Sequence, residues 1–365
     1  MARSTPITVV LFEDDPKTGP RLRKAIKKRL PKPSRTLLFL PSDRSASTKA
    51  HEDRLTADLR KQGYDDATLW VSDRDLSRTQ SYNGLSEAIV SKVAARFGVP
   101  ICKYATGAND DEVFKRQRHW GDAQIILDSG DENILATSIV VIATGFRFIG
   151  KKLKSATEKT ADDPRARTPA TVMSRLLDRP EEADRIALYG SGDQKMISEI
   201  LPFATDATGR KQLEGRLPSL LGYWLYDSIL RFPGLLVNST AAASYLNISV
   251  SAFRKSSIRT LFKSALYKGP FSDTDNPLWW RKDLDRILFA AKAEDGNRYA
   301  RRKLRKAVPR CLDGGKRAGL YCMVTETPVS EENSVGNISW FPPGADLARV
   351  RRDVYDQMGP WLGLF

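Results

Sequence analysis

The distribution of apolar and polar positions divides the chain into two unlike parts. Short runs rich in branched residues recur through the first part: ITVVLF (7–12), TLLFL (36–40), ATLWV (67–71), VPICKYA (99–105) and AQIILD (123–128). They have the length of strands covered on both faces, where apolarity is continuous rather than alternating. Helical patterns separate them, in RLRKAIKKRL (21–30), HEDRLTADLRKQG (51–63) and GLSEAIVSKVAARFG (84–98), and DDEVFKRQRHW (110–120) precedes the fifth run. Strands alternating with helices of this length predict βαβ units around a parallel sheet. Right-handed crossovers then give an α/β fold, a flavodoxin-like doubly wound sandwich over residues 1–130.

The alternation stops after residue 130. Ile139, Ile142, Phe146, Ile149 and Leu153 are spaced as one face of a helix. The polar stretch 154–169, with two prolines, reads as a linker within a helical middle region, 131–235, broken at Gly190-Ser191-Gly192 and Pro202. A further module covers 236–290 and an extension covers 291–365. In the extension, RYARRKLRKAVPR (298–310) reads as a basic helix. Residues 319–343 alternate like a hairpin, with Val335-Gly336-Asn337 as part of its turn, and a last helix with an apolar end follows.

Composition adds a preference for partners. The 365 residues carry a formal charge of +15 and a pI near 9.7, with the excess spread through both halves, which favours a polyanion. Three cysteines and two histidines form neither a disulfide framework nor a zinc pattern. The N-terminus lacks an apolar signal core, and the apolar stretch around 138–146 is far short of the ~18 residues that span a bilayer. The expectation is a cytoplasmic protein without a membrane partner.

The densest constellation is STAAASYLNISVSAFRKSSIRTLF (239–262). A helix-turn-helix needs a small residue where its helices cross, a residue tolerant of positive φ at the turn, and apolar side chains at fixed offsets. Ala243 is the small residue, Asn247 the turn residue, and Leu246, Ile248, Phe253 and Ile258 occupy the core offsets. Ser249 caps the second helix, which would present Ser251, Arg254, Lys255 and Arg259 to a major groove. A polar stretch suited to a hairpin follows, then WWRKDLDRIL (279–288). TAAASYLNIS and WWRKDLDRIL resemble the winged-helix excisionase and MerR-type DNA-binding domains. That resemblance implies double-stranded DNA as partner, with Ser249 and Arg281 in the contact set; the charge of Arg301, Arg302 and Lys303 in the basic run suits phosphate contacts beside it, or a solvated helix face. A winged helix used for protein contacts or packing fits the same pattern.

Carboxylates at the C-terminal ends of parallel strands converge on one sheet edge. Glu13, Asp14 and Asp15 follow the first run, and Asp73 and Asp75 follow the third. Such a group invites a hard cation, with Mg²⁺ the natural candidate. LFEDDPKTGPRLRKAI, WVSDRDLS and GLSEAIVSKVAARFGVPICKYA resemble a response-regulator receiver domain. The resemblance implies Asp14 and Asp15 as Mg²⁺ ligands, Asp73 as phosphoacceptor, a histidine kinase as donor and a homodimer on paired half-sites. The sequence departs from that family in three ways. Ala105 stands at the hydroxyl position with Thr106 one place late, Leu127 and Asp128 occupy the expected lysine region, and extra residues lie around 42–55. A pseudo-receiver that is never phosphorylated therefore fits as well as a working one. Glu13 with Asp73-Arg74-Asp75 also resembles the TOPRIM pattern of Mg²⁺-dependent nucleases and nucleotidyl transferases. Helix-capping and loop roles for Asp14, Asp15 and Asp75 are the simpler alternative. The expected function is a DNA-binding regulator. The alternatives are a Mg²⁺-dependent nuclease or transferase, or a non-catalytic adaptor of a multi-component defence or mobile-element system.

Overall fold

The computed structural model describes residues 6–41, 51–76, 84–105, 125–128, 130–158, 168–190, 195, 197, 207–336 and 338–362. The chain forms two compact units, Met1–Val172 with Asp193–Tyr223, and Met173–Gly192 with Trp224–Phe365.

In the first unit, β1 (Thr8–Phe12), β2 (Arg35–Leu38), β3 (Leu69–Asp73), β4 (Ile101–Ala105) and β5 (Ile125–Asp128) form one sheet in the order β2-β1-β3-β4-β5. All pairs are parallel. The strands fall where the continuous apolar runs placed them, and the order agrees with a flavodoxin-like fold. The helices α1 (Thr18–Arg29) and α4 (Glu132–Glu158) pack together, as do α2 (His51–Gln62) and α3 (Glu87–Phe97). Val10, Phe12, Trp70 and Ile101 join Leu55, Leu59, Val90 and Val93 in one buried core. Local chemistry sets the ends of α3: the Ser86 side chain accepts from the Ile89 amide, and Gly98 closes the helix at φ 73°. The helix α5 (Ala207–Trp224) is fixed to this unit through Ser219, whose hydroxyl donates to the Gly98 carbonyl at 2.5 Å.

Ile139, Ile142, Phe146, Ile149 and Leu153 are all buried, as their spacing predicted. The apolar segment is longer than the sequence reading allowed. Glu132–Leu153 has a mean hydropathy of 1.6 and the length of a membrane span, yet α4 packs on α1 and Phe146 meets Tyr223 at 5.6 Å. The helix also continues to Glu158, into the stretch read as a linker. The predicted helix at 110–120, Thr106, Pro202 and Ser191-Gly192 lie outside the described residues.

In the second unit, β6 (Leu236–Asn238) leads into α6 (Ser239–Tyr245), α7 (Val250–Phe253) and α8 (Ser256–Leu261). It pairs antiparallel with β7 (Leu278–Trp280), which runs into α9 (Arg281–Ala290) and then α10 (Gly296–Leu304). A two-stranded ribbon, β8 (Leu312–Asp313) with β9 (Lys316–Arg317), follows. The sheet β11-β10-β13-β12 uses β10 (Leu320–Cys322), β11 (Pro328–Val329), β12 (Ser334–Val335) and β13 (Ala348–Arg351), and α11 (Arg352–Leu362) comes last.

Three expectations change here. Residues 266–278 do not form a closed hairpin. Leu266 instead bridges Trp279, the Tyr267 amide donates to the Leu278 carbonyl, and a loop joins the two ends. The hairpin expected to turn near 335–337 turns between Cys322 and Pro328, where Glu326 takes the left-handed φ of 55°, while Val335 pairs with Val350. The basic helix ends at Leu304, because Arg305 adopts φ 52° and closes it.

Candidate functional site

Among the described residues two groups of side chains have chemistry to offer, one basic in the second unit and one acidic in the first.

The basic group begins with α6. Its first turn is capped by Asn238, whose side-chain oxygen accepts from the Ala241 amide at 2.9 Å. Ala241, Ala242 and Ala243 are buried, so small side chains do let neighbouring elements approach. Asn247 reverses the chain at φ 57°, and the Ser249 hydroxyl caps α7 by accepting from the Ala252 amide at 3.3 Å. Leu246, Ile248, Phe253 and Ile258 are all buried. Phe253 packs on Trp279 at 5.0 Å and on Phe262 at 6.0 Å.

The second helix is shorter than expected. It stops at Phe253, Lys255 is extended at φ −68° and ψ 136°, and α8 starts afresh at Ser256. The reason lies in the core. Phe253 and Ile258 are five positions apart, roughly 140° around a continuous helix, and both are buried. The break lets each reach the core. It also leaves Ser251, Arg254 and Lys255 exposed, with Arg259 and Ser249 half-buried. Among the described residues, no ion pair engages Arg254, Lys255 or Arg259.

Behind this face, α10 is docked by buried polar contacts. Asp295 caps α10 by accepting from the Arg298 amide at 2.7 Å, and its other oxygen accepts from the Asn247 amide nitrogen at 2.8 Å. The Asn297 side chain donates to the Val308 carbonyl at 2.9 Å, and the Ser249 amide donates to the Pro309 carbonyl at 2.9 Å. A Cβ added at Gly296 would lie 2.6 Å from Leu246 Cβ, so only glycine permits this approach.

The remaining predicted contact residues have different surroundings. Arg281 is half-buried, pairs with Asp346 at 2.6 Å and lies 5.9 Å from the Tyr245 ring centroid. Arg302 donates to the Ala291 and Lys292 carbonyls at 2.9 and 3.3 Å, and Lys303 lies 5.9 Å from the Tyr299 ring centroid. Arg301 is exposed and faces an open groove of 690 Å³ whose other cations include Lys292, Arg305 and Lys306. The run 298–310 signalled most of this charge. Lys292 joins it only through the turn between α9 and α10.

The acidic group sits where β1 and β3 end. Glu13, Asp14 and Asp73 are buried, and their carboxylate oxygens lie within 4.8 Å of one another. Asp15 instead serves α1, accepting from the Lys17 amide at 2.8 Å and the Thr18 hydroxyl at 3.1 Å. Asp75 is exposed, and its amide donates to Asp73 Oδ1 at 3.3 Å.

Tyr104 was not singled out from the sequence. The register pairs it with Asp73, and its buried hydroxyl donates to Glu13 Oε2, while Glu13 Oε1 accepts from the Asp15 amide at 2.8 Å. Burial pushes the Glu13 carboxyl above its ordinary range; the neighbouring Asp14 and Asp15 charges push the same way, against those two hydrogen bonds. Lys103, one residue before Tyr104, is buried and paired with Glu87. Leu127 and Asp128 do occupy the end of β5, with Ala105 opposite Asp128.

The chain matches no protein-family model, no curated protein and no solved structure.

Proposed function

We propose that the protein binds double-stranded DNA through a winged helix-turn-helix made by α6, α7, α8 and the β6–β7 ribbon. In this reading the loop between Tyr267 and Leu278 is the wing. The observation that supports it best is a turn at Asn247 leading into a helix whose Phe253 packs on Trp279, followed by exposed, unneutralised Arg254 and Lys255. Cations held without acidic partners on a fixed scaffold release counterions from DNA at small entropic cost. Arg254 and Lys255 then read base edges or phosphates, Ser249 and Ser251 contact the backbone, and Arg259 flanks them. Arg281, which Asp346 engages, and the exposed Arg301, Arg302 and Lys303 join the phosphate contacts in this reading.

The first unit is a receiver-like regulatory domain in the same proposal. Glu13, Asp14 and Asp73 offer the hard oxygen donors that Mg²⁺ takes, and the ion would offset the burial, and with it the neighbouring acidic charge, that hold the Glu13 carboxyl high. Asp73 is then the phosphoacceptor, a histidine kinase its donor, and a homodimer on paired half-sites the DNA-bound form. The nuclease alternative asks Asp75 to join Asp73 at the metal, and Asp75 is exposed instead.

The test is fluorescence anisotropy of random-sequence duplex DNA over a salt series, wild type against Arg254→Ala/Lys255→Ala. Steep salt dependence in the wild type, with a slope about two smaller in the variant, is the expected result. Absence of duplex binding at low salt would make the module a protein-contact surface, as in an adaptor.

A further inference from the structure

The basic groove beside α10 has features that duplex binding by α7 does not use. Its walls are the turn at Lys292, which reverses the chain at φ 47°, and the end of α10 with the residues after it. Arg302 ties the walls together through the Ala291 and Lys292 carbonyls, and Arg298 is neutralised by Glu294. Lys292, Arg301, Arg305 and Lys306 remain. All four are exposed, and none has an ion pair among the described residues. Four like charges around one concavity repel each other and call for an anion that follows the groove.

An exposed aromatic residue lies three positions before Lys292 in the chain. Phe289 is 88% exposed, the most exposed large apolar side chain among the described residues. It lies one helical turn before Lys292, whose amide donates to the Phe289 carbonyl at 2.9 Å. Its position at the end of α9 is therefore fixed relative to the groove wall. The groove is open and concave, 690 Å³ in volume, and its unpaired cations face one concavity rather than lying along a flat face. Unpaired cations around a groove, with an exposed ring one helical turn before its Lys292 wall, match the chemistry of a single strand, whose phosphates need charge and whose unpaired bases need a stacking surface.

We infer that this groove binds single-stranded nucleic acid, with Lys292, Arg301, Arg305 and Lys306 on the phosphates and Phe289 stacked on a base. The activity is additional to duplex binding and shares only Arg301 with the duplex contacts expected from the sequence.

The experiment measures anisotropy of a labelled dT 12-mer, an abasic 12-mer of the same charge, and a random duplex. The proteins are the full chain, Phe289→Ala, Lys292→Asn/Arg305→Asn/Lys306→Gln, and Arg254→Ala/Lys255→Ala. Asn replaces Lys292 and Arg305 because it tolerates the left-handed backbone at both, and Phe289 is too exposed for its loss to unfold the unit. The wild type should bind the dT 12-mer more tightly than the abasic strand. Phe289→Ala should weaken dT binding about tenfold. The triple variant should lower the single-strand salt slope by about two, with duplex binding kept. Failure of the wild type to bind dT at low salt, equal binding of dT and abasic strands, or parallel loss of duplex and dT binding in the triple variant overturns the inference. If dT binds as expected and the duplex does not, the inference stands and the duplex reading fails.

Discussion

The side-chain amide of Asn247 donates to Asp295 Oδ2 at 2.8 Å in a buried contact, tying the residue that reverses the chain after α6 to the residue that caps α10. One hydrogen bond to a charged group therefore couples the turn geometry to the docking of the basic helix, beside the contacts that Asn297 and Ser249 make.

Loss of that bond should cost about 1.5–3 kcal/mol. Asn247→Ala adds the penalty of a left-handed non-glycine residue, about 1–2 kcal/mol, whereas Asn247→Gly relieves the backbone and loses only the bond. Chemical denaturation should thus rank wild type above Gly above Ala. A double-mutant cycle with Asp295→Ala should give a coupling above ~1 kcal/mol. Simple additivity would show that the two residues act independently.

Two glycines should respond with opposite signs. At Gly296 an added methyl meets Leu246 Cβ at 2.6 Å and the Leu246 carbonyl oxygen at 2.9 Å, so Gly296→Ala should destabilise the second unit by about 1–3 kcal/mol. Gly150 lies on the exposed side of α4 with nothing within 4 Å of an added Cβ, so Gly150→Ala should stabilise the first unit by about 1 kcal/mol. Equal effects from the two substitutions would contradict the close seat of α10 on α6.

Much of this arrangement was legible because it follows from local rules. The continuous apolar runs become β1 to β5, since a strand covered on both faces needs no alternation. Asn247 and Ser249 were readable because positive φ and helix capping each select few residue types. The break after Phe253 was not. RKSS contains neither proline nor glycine, and what interrupts the helix is the demand of Phe253 and Ile258 for the same core. Tyr104 was hidden for another reason: its partner Glu13 is distant in sequence, and only the register of β3 with β4 carries the hydroxyl to the acids. The groove formed by Lys292 with Arg301, Arg305 and Lys306 likewise depends on a turn whose direction no charge pattern encodes.

The Glu13 carboxyl gives a pH dependence with a definite sign. Its folded pKa is raised above the ordinary 4.5, so the folded state holds the proton more tightly than the unfolded state. The associated stability is fully present below the unfolded pKa and is lost as pH rises through the folded value. In Mg²⁺-free buffer, Glu13→Gln should remove that decline. Tyr104→Phe, which deletes a hydrogen bond to the carboxylate, should move the titration of Glu13 further up, as carboxyl chemical shifts can follow. Under the metal proposal Mg²⁺ competes with this proton. It should therefore raise Tm most above the Glu13 pKa, and Asp73→Asn should abolish the rise. A Tm indifferent to Mg²⁺ at every pH would remove the metal from the reading.

Ser256→Pro tests the division between α7 and α8. Lys255 already has φ −68° and ψ 136°, the extended conformation that a following proline imposes on its neighbour. Ser256 is the first residue of α8, where a proline ring fits and no helical hydrogen bond is lost. With two short helices the substitution should be neutral or stabilise the second unit by about 0.4–1 kcal/mol, through the restricted unfolded chain. It should also leave duplex binding intact, since Arg254 and Lys255 keep their positions. Were residues 250–261 one continuous recognition helix, the same proline would fall in its interior and cost about 3 kcal/mol. Thermal denaturation separates these outcomes, because they differ in sign and by several degrees in Tm.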